Sequence, residues 1–104
     1  LNKAAMAAEA RYEIASCWLS LNKLSDAEKA AFETINKSGS YDYWVTKAYI
    51  LLGDIYFKQK DYFNAKATFQ SVVDNTTDAE LKAEAQSKLD QVTVEEGKSS
   101  KVNN

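Results

Sequence analysis

The chain has 104 residues, with 15 Asp and Glu against 13 Lys and Arg for a formal charge of −2, so it carries no basic footprint for nucleic acid or anionic lipid. Histidine and proline are absent, glycine occurs three times and cysteine once, which removes the commonest general base, thiolate metal clusters and the turn residues of all-β folds. The longest apolar run, Ala48 to Leu52, falls far short of the roughly 20 residues that span a bilayer, so no membrane insertion is expected.

The length suits one all-α domain over residues 1–94. Because the sequence opens on Leu1 rather than methionine, it is expected to be a piece of a longer polypeptide. From Lys3 to Leu21, Ala4, Ala7, Ala8, Ile14, Ala15 and Trp18 recur at three- and four-residue steps, which predicts a first helix with these residues inward. Ser25 followed by Glu28 is a capping-box pattern, placing the second helix at about Asp26 to Lys37, before the Ser38-Gly39-Ser40 turn. The segment from Tyr41 to Lys60 is apolar on several sides, as a central helix packed all round would be.

Asp61 is the expected cap of a fourth helix reaching about Asp74, with Ala65, Phe69, Val72 and Val73 inward. Thr77 and Glu80 repeat the capping-box pattern before a fifth helix, about 78–94, whose single apolar stripe of Leu81, Ala85, Leu89 and Val92 suits a terminal cap. Residues 95–104 hold one apolar side chain, Val102, and are expected to be a disordered tail.

The first and second helices can be laid over the third and fourth. Ala15 and Gly53, Trp18 and Tyr56, and Ala27 and Ala65 are each 38 positions apart. Phe32 precedes Phe69 by 37, which calls for either a π-type bulge in the second helix or a shifted packing register. In the second unit Tyr49, Leu52, Gly53, Tyr56, Ala65 and Phe69 resemble the signature of a tetratricopeptide repeat. The first unit matches it at Ala15, Trp18 and Ala27, with Arg11 in place of the first aromatic. The 38-residue spacing exceeds the family period of about 34 by one helical turn, placed at Asp42 to Val45, where it lets Trp44 reach over the preceding hairpin.

The resemblance implies a right-handed α-α superhelix of two hairpins, about 3–37 and 41–75, closed by the fifth helix. It implies a non-catalytic scaffold that binds a protein or peptide, or stacks on upstream repeats. The alternative is a structural cap or self-association unit with no foreign ligand. The run from Tyr41 to Val45 with Ala65-Lys66-Ala67 is also similar to C-terminal repeats of large, often exported tetratricopeptide proteins of Bacteroidetes-type bacteria, which implies a cell-envelope or periplasmic setting.

In that family the inner face of the first helix of each unit carries ligand contacts. It maps here onto Glu9, Tyr12, Ser16, Leu19 and Ser20, and onto Lys47, Ile50, Asp54, Phe57 and Lys58. These do not reproduce the Lys-Asn-Lys-Arg clamp that grips a terminal carboxylate. Tyr12, Leu19, Ile50 and Phe57 are expected as apolar anchors among charges, a surface suited to an amphipathic helix or an extended peptide. Cys17 lacks a sequence partner for nucleophilic chemistry and is expected to be a small, partly buried apolar residue. No carboxylate pair marks a catalytic cleft, Gly53 alone makes no phosphate loop, and no cofactor or metal is expected. Tyr41, Tyr43 and Trp44 are expected to pack rather than to stack on a ligand.

Overall fold

Five stretches of the chain close into helices: α1 (Lys3–Ser20), α2 (Leu24–Lys37), α3 (Asp42–Lys58), α4 (Tyr62–Asn75) and α5 (Ala79–Val102). The computed structural model describes residues 2–102, and no strand occurs among them. The helix starts follow side-chain capping only in part. Asp61 accepts from the Asn64 amide at 3.2 Å, as expected. The α5 cap, however, is Asp78, whose Oδ1 accepts from Glu80 and Leu81, and not Thr77. Helix α2 begins two residues early, with no side-chain cap at Lys23. There the preceding turn already sets the chain direction, and the Lys23 carbonyl accepts from the Ala27 amide at 2.9 Å.

The turns closing α1–α2 and α3–α4 are built alike. Asn22 and Lys60, 38 positions apart, take φ of 59° and 62°, the left-handed conformation that reverses a chain at a helix end. Lys23 N donates to Trp18 O and Asp61 N to Tyr56 O, both at 2.9 Å. Leu21 N to Cys17 O and Gln59 N to Ile55 O are both 3.0 Å. Arg11, which stands where the second unit has Tyr49, donates from Nη1 to the Lys37 carbonyl at 3.3 Å, so it satisfies the end of α2 instead of filling a hole.

Helix α3 packs against all four other helices, and α1 touches α3 as α3 touches α5, whereas α2 and α4 do not meet among the described residues. The odd-numbered helices therefore form one layer. The expectation of a central third helix holds, and its residues divide between two cores. Leu51, Leu52 and Ile55 pack with Ala15, Ala27 and Ala31. Ile50 packs with Ala65, Phe69, Val72, Leu81, Ala85 and Val92.

Neither a bulge nor a shifted register is needed to match the two hairpins. Helix α2 is regular throughout, and Ala31, not Phe32, occupies the position 38 residues before Phe69. Phe69 is 1% exposed and Ala31 fully buried, while Phe32 is 40% exposed. The difference is steric. Gly53 leaves room for the Phe69 ring, and a Cβ there would stand 2.6 Å from its Cζ. The matching Ala15 already fills that space.

Two further expectations are corrected. Residues 95–102 continue α5 rather than forming a tail, with Asn103 and Asn104 outside the described residues. Nothing in this stretch stops a helix: it lacks proline, and Gly97 lowers helix stability by only about 1 kcal/mol. Lys66 Nζ on α4 also reaches Glu96 Oε1 at 2.6 Å. In α1, Ala8 and Ala15 are buried, but Ile14, Cys17 and Trp18 are exposed, because none of the described helices covers that side.

Candidate functional site

The residues mapped onto the inner face lie in the layer of odd helices, but α5 covers much of the second-unit half. Ile50 is 2% exposed and belongs to the core under α4 and α5. It is therefore corrected from a surface anchor to a core residue. Asp54 accepts from Lys88 Nζ on α5 at 2.8 and 2.9 Å. The half-buried Phe57 lies against Tyr62, ring centroids 5.9 Å apart, and with Ser87, Gln91 and Val94 lines a shallow groove. Lys58 is exposed at the helix end.

The first-unit half is more open. Glu9 is exposed and Ser16 half-buried, while Tyr12 and Leu19 pack at the edge of the first core. Ser20, at the end of α1, is exposed. Tyr12 also bridges to α3: its ring lies 5.7 Å from that of Trp44, which meets Tyr43 edge-on at 4.9 Å. Lys47 Nζ sits 5.4 Å from the Tyr12 centroid, within range of a cation–π contact. Trp44 thus reaches the preceding hairpin, as expected, while Tyr43 stays about half exposed.

A line of alternating charge continues from this cluster across α3 and α5. Lys47 Nζ is 3.8 Å from Glu84 Oε1, and Glu84 Oε2 is 4.0 Å from Lys88 Nζ, which pairs with Asp54. Burial works to lower the Lys47 pKa, but the charges of Tyr12 and Glu84 outweigh it and the net shift is upward. The net shift favours the cationic form of Lys47. Burial likewise raises the Tyr12 phenol, against the opposing pull of Lys47.

Asp54 is governed by the same competition. Desolvation pushes its carboxyl above the ordinary value of 3.8, and the hydrogen bond and charge of Lys88 only partly offset this. A carboxyl raised in the folded state favours folding most below its unfolded pKa, and that contribution is lost as pH rises through the folded value. The stability of the native chain relative to an Asp54→Asn variant is accordingly expected to fall from pH 4 to pH 7. Urea denaturation at several pH values reads this difference. A relative stability that rises with pH would mean that the Lys88 pair outweighs desolvation.

Comparison with family models, with curated proteins and with solved structures gives no match. The site therefore rests on its own geometry. Trp44, expected to pack, takes part in it, as do Glu84 and Lys88, which were not among the expected site residues. The signal for the latter was present: Glu84 and Lys88 are four apart on one helical face, and Asp54, set among apolar neighbours, required a cation. Among the described residues no group of three or more His, Cys, Asp or Glu gathers as a metal site requires, and no helix is long and apolar enough to cross a membrane.

Proposed function

We infer that the chain is a non-catalytic interaction module of the tetratricopeptide-repeat kind, two hairpins closed by α5, which binds an extended or helical segment of another protein. The observation that carries this reading is the duplicated turn: the backbone hydrogen bonds closing the two hairpins match one for one at a 38-residue spacing, and the hairpins stack so that their first helices form one layer. Repeated helical pairs of this sort build continuous surfaces for protein ligands.

The open half of that layer offers Glu9, Tyr12, Ser16, Tyr43, Trp44 and Lys47. Aromatic rings beside a cation suit a peptide with an acidic and an apolar side chain a few residues apart. Asp54 and Phe57 are engaged by α5 and α4 and act in support. Selection from a random peptide library is expected to enrich such sequences. Tyr12→Ala or Lys47→Ala is expected to weaken binding by roughly fivefold or more, about 1 kcal/mol, with the helical circular dichroism unchanged. Equal binding by the native chain and both variants would refute the groove.

One observation favours the alternative role of a structural cap: α5 covers the outer end of the second core, while the opposite end, at α1, stays open.

A further inference from the structure

The second hairpin holds an open cleft where the first holds a side chain. The cleft, about 450 Å³, lies between the start of α3 and the end of α4, with Asp42, Thr46 and Tyr49 on one wall and Ser71, Asn75 and Thr76 on the other. Its volume is within the range of about 300–1,000 Å³ usual for small-ligand sites. Among the described residues that line it, Asp42 alone is charged, and Asp42 takes part in none of the ion pairs among the described residues. Helix α4 has no basic residue in its last turn, and among the described residues no backbone amide donates to the Asn75 carbonyl at its end. A helix C-terminus carries partial negative charge, so the carboxylate and the helix end give the cleft one sign of charge with no cation lining it.

The first hairpin shows what such a position takes. Arg11 stands 38 positions before Tyr49, and Lys37 stands 38 before Asn75. The half-buried Arg11 donates from Nη1 to the Lys37 carbonyl at 3.3 Å, which sets a guanidinium at the end of α2. Asp42 is matched there by the neutral Ala4. In the second hairpin the place of the guanidinium falls to Tyr49, 39% exposed, and the facing wall carries a carboxylate. We propose that this cleft binds a guanidinium group in the place that Arg11 takes in the first hairpin. The planar fork of a guanidinium offers donors to both the Asp42 carboxylate and the Asn75 carbonyl, and its flat face suits the Tyr49 ring. An ammonium group meets the charge but supplies neither the fork nor the stacking face. The inference rests on the duplicated hairpin and is independent of any peptide in the inner groove, which other residues form.

Titration of the whole chain with n-butylguanidinium, followed by backbone amide NMR, is expected to give saturable shifts at Thr46, Tyr49, Asn75 and Thr76, in the millimolar range of a small ligand with few contacts. Neutral n-butylurea, of the same shape, is expected to give none. Asp42→Asn is expected to weaken binding by roughly fivefold, the upper end for an exposed ion pair. Because Asp42 also lies in the first turn of α3, where a carboxylate favours the helix, Tyr49→Arg serves as a second variant. It recreates the arrangement of the first hairpin, and it is expected to abolish the titration by filling the cleft from within the chain and to raise the melting temperature. A short peptide with one internal arginine identifies the source of the group. Binding tighter than that of n-butylguanidinium names the side chain of a partner protein, equal binding names a free small cation, and either supports the site. Three outcomes overturn the proposal: no saturable shift, equal shifts from n-butylurea, or binding by the Tyr49→Arg variant as tight as by the native chain. Shifts confined to Tyr12 and Lys47 would also overturn it, by moving the guanidinium to the inner groove. Helical circular dichroism of each variant separates loss of binding from loss of the fold.

Discussion

Gly53→Ala is expected to destabilise the fold by about 2 kcal/mol, even though alanine is the better helix former by about 1 kcal/mol. The reason is the Phe69 ring, which lies against the Gly53 backbone so closely that an added Cβ would meet Cζ at 2.6 Å and Cδ1 at 2.8 Å, with Cε1 nearer still. Contacts this short require the ring to move, and Phe69 is buried between Val72, Leu81 and Val92 with little room to do so. Phe69→Ala alone is expected to cost about 3–5 kcal/mol through loss of apolar burial and the cavity left behind.

The double variant is the sharper experiment. Once Phe69 is alanine, a methyl group at position 53 no longer clashes and occupies part of the vacated space, as the buried pair Ala15 and Ala31 does in the first hairpin. The loss in the double variant is therefore expected to fall short of the sum of the singles by about 1–3 kcal/mol. Urea unfolding of the four proteins measures this, and strict additivity would show that the contact between helix and ring is not what makes position 53 need glycine.

Ending the chain after Thr77 is expected to abolish cooperative unfolding. Helix α5 brings Leu81, Ala85 and Val92 into the second core, and burying each of the two larger side chains contributes about 1.5–3 kcal/mol. Its removal also opens Ile50 and Phe69 to water and takes from the half-buried Asp54 its Lys88 partner. The summed loss, on the order of 5 kcal/mol or more, rivals the whole stability of a domain this size, about 5–15 kcal/mol. Thermal melts followed at 222 nm should show a broad, weak transition. A sharp transition within a few degrees of the native one would mean that the second core is complete without α5.

The sequence disclosed the helices and their order because three- and four-residue periodicity and the absence of proline leave few other solutions. Asp61 was legible as a cap for a local reason, since the carboxylate and the amide it accepts from lie three residues apart. Ser25 and Thr77 misled because a capping pattern states only that a helix can start there. The Asn22 turn and the neighbouring Asp78 decided where each one does. The sequence alignment of Phe32 with Phe69 failed for a similar reason: residue type suggested the match, while burial and the Gly53 gap set the true register. The extension of α5 was hidden because a polar helix has no apolar stripe to declare it, and its tie to α4 through Glu96 spans 30 residues of sequence.

Within the candidate site, Tyr12 and Lys47 were readable from their place on the inner face. The roles of Glu84 and Lys88 depended on how α5 lies across α3, which no local pattern encodes.

Among the described residues, helix α3 is the only element that touches all the others, and α1 and α2 pack on neither α4 nor α5. The two ends of the molecule are thus connected in series through a single rod. Any influence of a ligand at Tyr12 on the far side of α5 has to travel along α3, either through the rigid shift of that helix or through Lys47 and Glu84. A disturbance confined to α1 and α2 therefore reaches the rest of the protein only to the extent that it moves α3, so the molecule is insulated at its ends and communicates through its middle.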